Sequence, residues 1–119
     1  MADAITAIDD DEVPERGVLK DAVRALLKAL AEKAPGHTVE VRVPPYGAVQ
    51  CIEGPRHRRG TPPNVIECAP LVFLELATGR LDFADAVTKG KVDASGQRAD
   101  LSAVLPLTGP GGEALDAAE

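Results

Sequence analysis

At 119 residues the chain has room for one domain with one core, and an apolar share of 45% lets that core form without disulfides or a metal. No apolar run approaches the ~20 residues of a membrane span, which argues against stable membrane insertion, and the start lacks the basic and apolar regions of a signal peptide. The cysteines, Cys51 and Cys68, are too few for a disulfide framework, so a cytoplasmic location is expected.

Divided along the chain, the net charge of −6 changes meaning. Residues 1–15 hold six acids and no base, and residues 108–119 hold three acids and no base. The stretch between them holds ten acids and thirteen bases, a net of +3. The expected organisation is an acidic, mobile tail over 1–15, a mildly basic folded domain over 16–107, and a second mobile acidic tail over 108–119. Tyr46, Phe73 and Phe83 are the only aromatics, so Val, Leu, Ile and Ala must build the interior.

Residues 17–34 predict an amphipathic helix. Leu19, Val23, Leu26 and Leu30 recur at helical spacing, with Lys20, Asp21, Arg24, Lys28 and Glu32 on the other side. Pro35 and Gly36 end it. Residues 38–43 alternate apolar and polar, the period of a strand with one buried face. Pro44-Pro45 breaks that strand and 47–52 resumes as a second one. A long loop over 53–63 leads to a third strand, Asn64 to Cys68, and the two strands flanking this loop are expected to pair as a hairpin. Pro70 opens a helix that ends at Gly79, and Asp82 is placed to cap a short helix from Phe83 to Thr88. Residues 91–95 form a last strand, and 99–105 supply one or two further helical turns. Clustered early strands with uninterleaved helices argue α+β, with a mostly antiparallel sheet of four to five strands covered by helices.

The loop Gly54–Pro63 concentrates Arg56, His57, Arg58 and Arg59 between prolines and glycines. Arginine forks suit carboxylate or phosphate, so this loop is a candidate for receiving an anionic head group or docking a protein partner; a solvated loop paired with nearby carboxylates is the plainer reading. Nucleic acid is not expected, because the patch is small and no aromatics are interleaved to stack bases. Cys51, Cys68, His37 and His57 match no metal-ligand spacing. Ser95 and Ser102 lie outside any nucleophile-elbow context, and Glu67 with Glu75 reads as two surface carboxylates. Neither a cofactor nor catalysis is expected.

The run Leu74 to Gly96 resembles the C-terminal half of the sterol carrier protein type-two superfamily. It carries the turn Thr78-Gly79-Arg80, the short helix Phe83-Ala84-Asp85-Ala86-Val87-Thr88 and the strand entry Gly90-Lys91-Val92. Asp100-Leu101-Ser102-Ala103-Val104-Leu105-Pro106-Leu107 stands where that family has its last helix, and Asn64 to Cys68 where a strand enters the first. Val41 to Gln50, with Gly54-Pro55-Arg56-His57 after it, looks like a bacterial, actinobacterial-type branch. The resemblance covers roughly residues 20–107, with a shorter, more Pro-rich N-terminal half than the eukaryotic carriers. It implies a sheet packed on helices around an apolar cavity, and a non-catalytic domain that binds or carries a lipid, fatty acyl or sterol-like molecule. On that implication Val49, Cys51, Val65, Leu71, Leu74, Leu101 and Leu105 line the cavity; on the residues alone they read as packing core. The alternative is a free-standing accessory or protein-interaction module related to the C-terminal domain of mycothiol-dependent isomerase-like enzymes, without ligand capacity.

Overall fold

The structure is a computed structural model that describes residues 1–54 and 63–113. Eight elements follow one another: α1 (Ala2–Asp9), α2 (Arg16–Lys33), β1 (Val39–Val43), β2 (Gly47–Cys51), β3 (Asn64–Cys68), α3 (Pro70–Ala77), α4 (Phe83–Thr88) and β4 (Val92–Ser95). Helices and a four-stranded mixed sheet make an α+β fold.

Helix α2 forms because its apolar positions share one stripe. Leu19, Val23, Leu26, Leu27 and Leu30 are buried, and the Glu15 carboxylate caps the first turn by accepting from the Gly17 N–H at 3.0 Å. In β1 every second side chain, Val39, Val41 and Val43, is fully buried, while Glu40 and Arg42 point the other way and pair with each other. Pro44-Pro45, a cis peptide, turns the chain into β2, whose Cys51, Val49 and Gly47 stand opposite the three valines.

The strand order is β2-β1-β3-β4. Strands β1 and β2 pair antiparallel, as do β3 and β4, but β1 and β3 pair parallel. The expected hairpin between the second and third strands is therefore corrected. Because β2 runs against β1, it ends beside the start of β1, and the chain needs only to cross that one strand end to begin β3 on the far side. The loop between them is long enough for that crossing, and the hairpin partner of β2 is already β1.

Asn64, Ile66 and Cys68 of β3 and Val92 of β4 share the covered face with the β1 valines. Phe73, Leu74, Leu76 and Ala77 of α3 close the core with α2. The opposite face of the sheet carries Glu40, Arg42, Gln50, Val65, Glu67, Asp93 and Ser95.

The first fifteen residues, expected to form a mobile tail, instead contain α1, with Ala4 and Ile5 buried and Pro14 buried in the link to α2. The signal was there in Ala4, Ile5 and Ile8, spaced for one helix face, but the acids around them masked it. The described part of the C-terminal segment is also bound: the Leu107 and Thr108 N–H groups both donate to the Ala77 carbonyl, at 2.8 and 3.1 Å. Of the one or two helical turns expected over 99–105 the structure has one, in which the Leu105 N–H reaches the Leu101 carbonyl at 3.1 Å.

Candidate functional site

The ends of several elements meet at one end of the sheet, where β1 and β3 start and β2 and β4 finish. Helix α2 also ends there, and the chain turns out of it through Ala34, Pro35 and Gly36. The Ile52 N–H donates to the Ala34 carbonyl at 2.6 Å, and the Ile52 carbonyl accepts from the Thr38 N–H at 3.1 Å. Ile52 is held there with φ at 70°, a backbone region that β-branched residues rarely enter. Gly36 makes this joint possible: a Cβ at that position would land on the Ile52 carbonyl.

On the other side the 96–104 segment is anchored by a buried amide. Asn64 donates from Nδ2 to the Thr38 carbonyl at 2.9 Å and accepts the Arg98 N–H on Oδ1, also at 2.9 Å. Each polar atom of Asn64 thus finds a partner, which is the condition for burying it. The Asp100 carboxylate accepts the Ser102 N–H at 2.8 Å, and the Ser102 hydroxyl and N–H together hold its pKa below the usual carboxylate value. The Lys33 ammonium donates to the carbonyls of Val104 and Pro106, at 2.8 and 3.0 Å.

Between these two sides lies a groove of about 540 Å3. Ala34, Pro35, Ile52, Ala103 and Val104 give it apolar walls, and Lys33, Glu53, Arg98 and Asp100 rim it. That volume lies in the range of small-molecule sites. Arg98 also borders a smaller, more polar pocket of about 260 Å3 with His37, Thr38, Asn64 and Gln97. His37 is oriented by a 2.8 Å hydrogen bond between its Nδ1 and Gln50 Oε1.

With this geometry in place, a family model described as a bacterial SCP ortholog is found to match residues 15–107. The chain belongs to that family. The resemblance read from Asn64 to Leu107 is borne out, and α1 and residues 108–113 lie outside the matched span. No curated protein matches the chain.

In the structure the seven expected cavity residues separate. Cys51, Leu74 and Leu101 are at most 1% exposed and belong to the packed core. Leu71 and Val49 are half-buried. Val65 stands on the opposite face of the sheet from Val49 and Cys51, beside Glu40 and Ser95, so the seven cannot line one chamber. Leu105 borders a pocket of about 180 Å3 with Leu76, Leu81 and Phe83. The Arg56, His57, Arg58 and Arg59 loop lies outside the described residues. Its flanks do not: Pro63 borders the polar pocket, and Gly54 sits against Thr38 and Arg98.

Burial pushes the Cys51 thiol up to about 11, and burial with the nearby Glu67 charge pushes Cys68 up to about 12, so neither is a thiolate at neutral pH. The two cysteines lie two strands and four residues apart, roughly 15 Å by strand geometry, too far to bridge. Glu67 and Glu75 fall on opposite sides of the sheet, the first on its open face and the second on α3. Among the described residues no three His, Cys, Asp or Glu side chains gather as a metal would require. Sequence reasoning missed Asn64, Ile52 and Arg98. The signal for Asn64 was an amide at an inward position of an otherwise apolar strand; Ile52 and Arg98 carry no such local mark.

Proposed function

We propose that this chain is a non-catalytic binding and carrier domain for apolar small molecules of the lipid, fatty acyl or sterol-like kind. The observation that carries the reading is the apolar-walled groove between the end of α2, the end of β2 and the 98–104 segment. Each methylene buried there contributes roughly 0.8 kcal/mol, so micromolar binding takes about ten or more buried methylenes, the length of a fatty acyl chain. On this reading Arg56, His57, Arg58 and Arg59 receive the anionic head group, since the flanks of their loop lie beside Arg98 and the polar pocket that Arg98 shares with the groove rim. The domain works in the cytoplasm, where its thiols stay reduced. It takes its guest without inserting, and among the described residues no helix is long and apolar enough to cross a membrane.

Displacement of a fluorescent fatty acid tests this. Saturable binding is expected, weakened at least about tenfold by Val104→Glu, which puts a charge into the apolar wall. Replacing the three loop arginines with glutamine should weaken fatty acids and acyl-CoAs more than sterols. No saturable binding of any of these classes by the wild type would overturn the proposal. The packed positions of Cys51, Leu74 and Leu101 favour the second reading, a protein-interaction module, and that reading gains if binding is absent.

A further inference from the structure

Helix α1 and residues 108–113, the two stretches outside the family-matched span, converge on one side chain. Arg80, in the turn after α3, donates from Nε and Nη2 to the two carboxylate oxygens of Asp9, at 2.7 and 2.9 Å. Nη2 also donates to the Pro110 carbonyl, and Nη1 to the Thr78 carbonyl at 3.3 Å. A guanidinium can hold a carboxylate along one edge and still have N–H groups for carbonyls, which an ammonium cannot do with the same geometry.

The two segments also meet directly. Gly112 has φ at +88°, and a Cβ there would meet the Ile5 side chain at 2.8 Å and Met1 at 3.0 Å. Glu113 folds its own segment into a turn: its carboxylate accepts the Gly111 N–H at 2.9 Å, and its backbone carbonyl accepts the Gly109 N–H at 2.8 Å. Its charge adds to that of Asp9 in the field at Arg80. Helix α1 brings Ala4 and Ile5 to the interior, and an eight-residue helix with so little apolar area is marginal without a further tie.

We propose that Arg80 is a latch that closes α1 and residues 108–113 over the apolar body as one unit, so that the two segments are held or released together. Closed, the molecule keeps Ala4, Ile5 and the surface beneath them from water; released, it presents that surface. Added salt is the lever, because Asp9 is exposed and its attraction to Arg80 is screened. Acid is a weaker one: Arg80 holds the Asp9 carboxyl below its ordinary value, so protonation acts only well into the acid range. This inference is independent of what the groove binds.

Residue-resolved hydrogen exchange on the full chain tests it. Arg80→Gln should raise exchange in both 2–9 and 109–113 by a few-fold, the scale of an exposed, well-aligned ion pair, with β1 and β3 unchanged. Asp9→Asn should do the same in 109–113, although Asp9 makes no hydrogen bond to that segment. Acceleration of 2–9 alone in Asp9→Asn would overturn the latch. Should Arg80→Gln also loosen β1 and β3, Asp9→Asn and the wild type at about 0.5 M sodium chloride decide: a joint rise supports the latch, and a rise in one segment alone refutes it.

Discussion

Asn64 shows how one side chain can hold three parts of the chain. It opens β3, its amide N–H binds the start of β1, and its carbonyl oxygen fixes the backbone of Arg98 beyond β4. Gly96 lets β4 approach this close, since a Cβ there would press on the Pro63 carbonyl at 2.6 Å and on Asn64 itself. Asn64→Ala removes both bonds and leaves the buried Thr38 carbonyl and the part-buried Arg98 N–H without this partner, at a cost of about 1–3 kcal/mol. Asn64→Asp keeps the acceptor for Arg98 but sets a carboxylate against the Thr38 carbonyl, which raises the pKa of that carboxyl in the fold. Its stability should therefore recover in part as pH falls through that raised value, where the protonated acid again donates, and the wild type should show no such gain. Urea unfolding from pH 4 to 7 checks both; an Asn64→Ala loss below about 1 kcal/mol would show the amide to be incidental.

Among the elements, those whose residues repeat a period were legible in sequence, and how they pair was not. Leu19, Val23, Leu26 and Leu30 announce α2, and the alternation of Val39, Val41 and Val43 announces β1, because side-chain burial imposes those periods directly. Nothing local says that β3 pairs with β1 and not with β2, since both arrangements bury Ile66 and Cys68 equally well. The candidate site suffers from the same blindness. Its groove arises where the ends of α2 and β2 meet the 98–104 segment, and Ile52, Ala103 and Val104 come together only through that topology. The joint that makes it is Gly36 against Ile52. Gly36 has φ at +148°, which L side chains avoid, and its missing Cβ is the space the Ile52 carbonyl occupies. Gly36→Ala should therefore cost about 2–3 kcal/mol and loosen the groove before the sheet. Exchange at the Ile52 and Thr38 amides should rise more than at Val41; equal protection at all three, with an unchanged melting temperature, would show that the joint tolerates a side chain.

At the scale of the whole molecule the two cysteines report on the core and shape its response to pH. Cys51 is buried at the end of β2 and Cys68 at the opposite end of β3, so together they sample both ends of the covered face. An unfolded thiol ionises near 8.5, whereas burial holds these two to about 11 and about 12. Above 8.5 the unfolded chain loses protons that the folded chain keeps, so it binds fewer protons and stability falls with rising pH. The contribution is fully present below the unfolded value and is lost as pH climbs toward the folded ones. Its limiting slope is about 1.4 kcal/mol per pH unit for each thiol. Urea midpoints should then drop steeply between about pH 9 and 11 in the wild type. Cys51→Ala with Cys68→Ala is less stable at pH 7 through lost packing, but should follow a shallower decline, which isolates the contribution of the thiols. Parallel declines would mean that the thiols ionise within the fold, and that the core around them admits water.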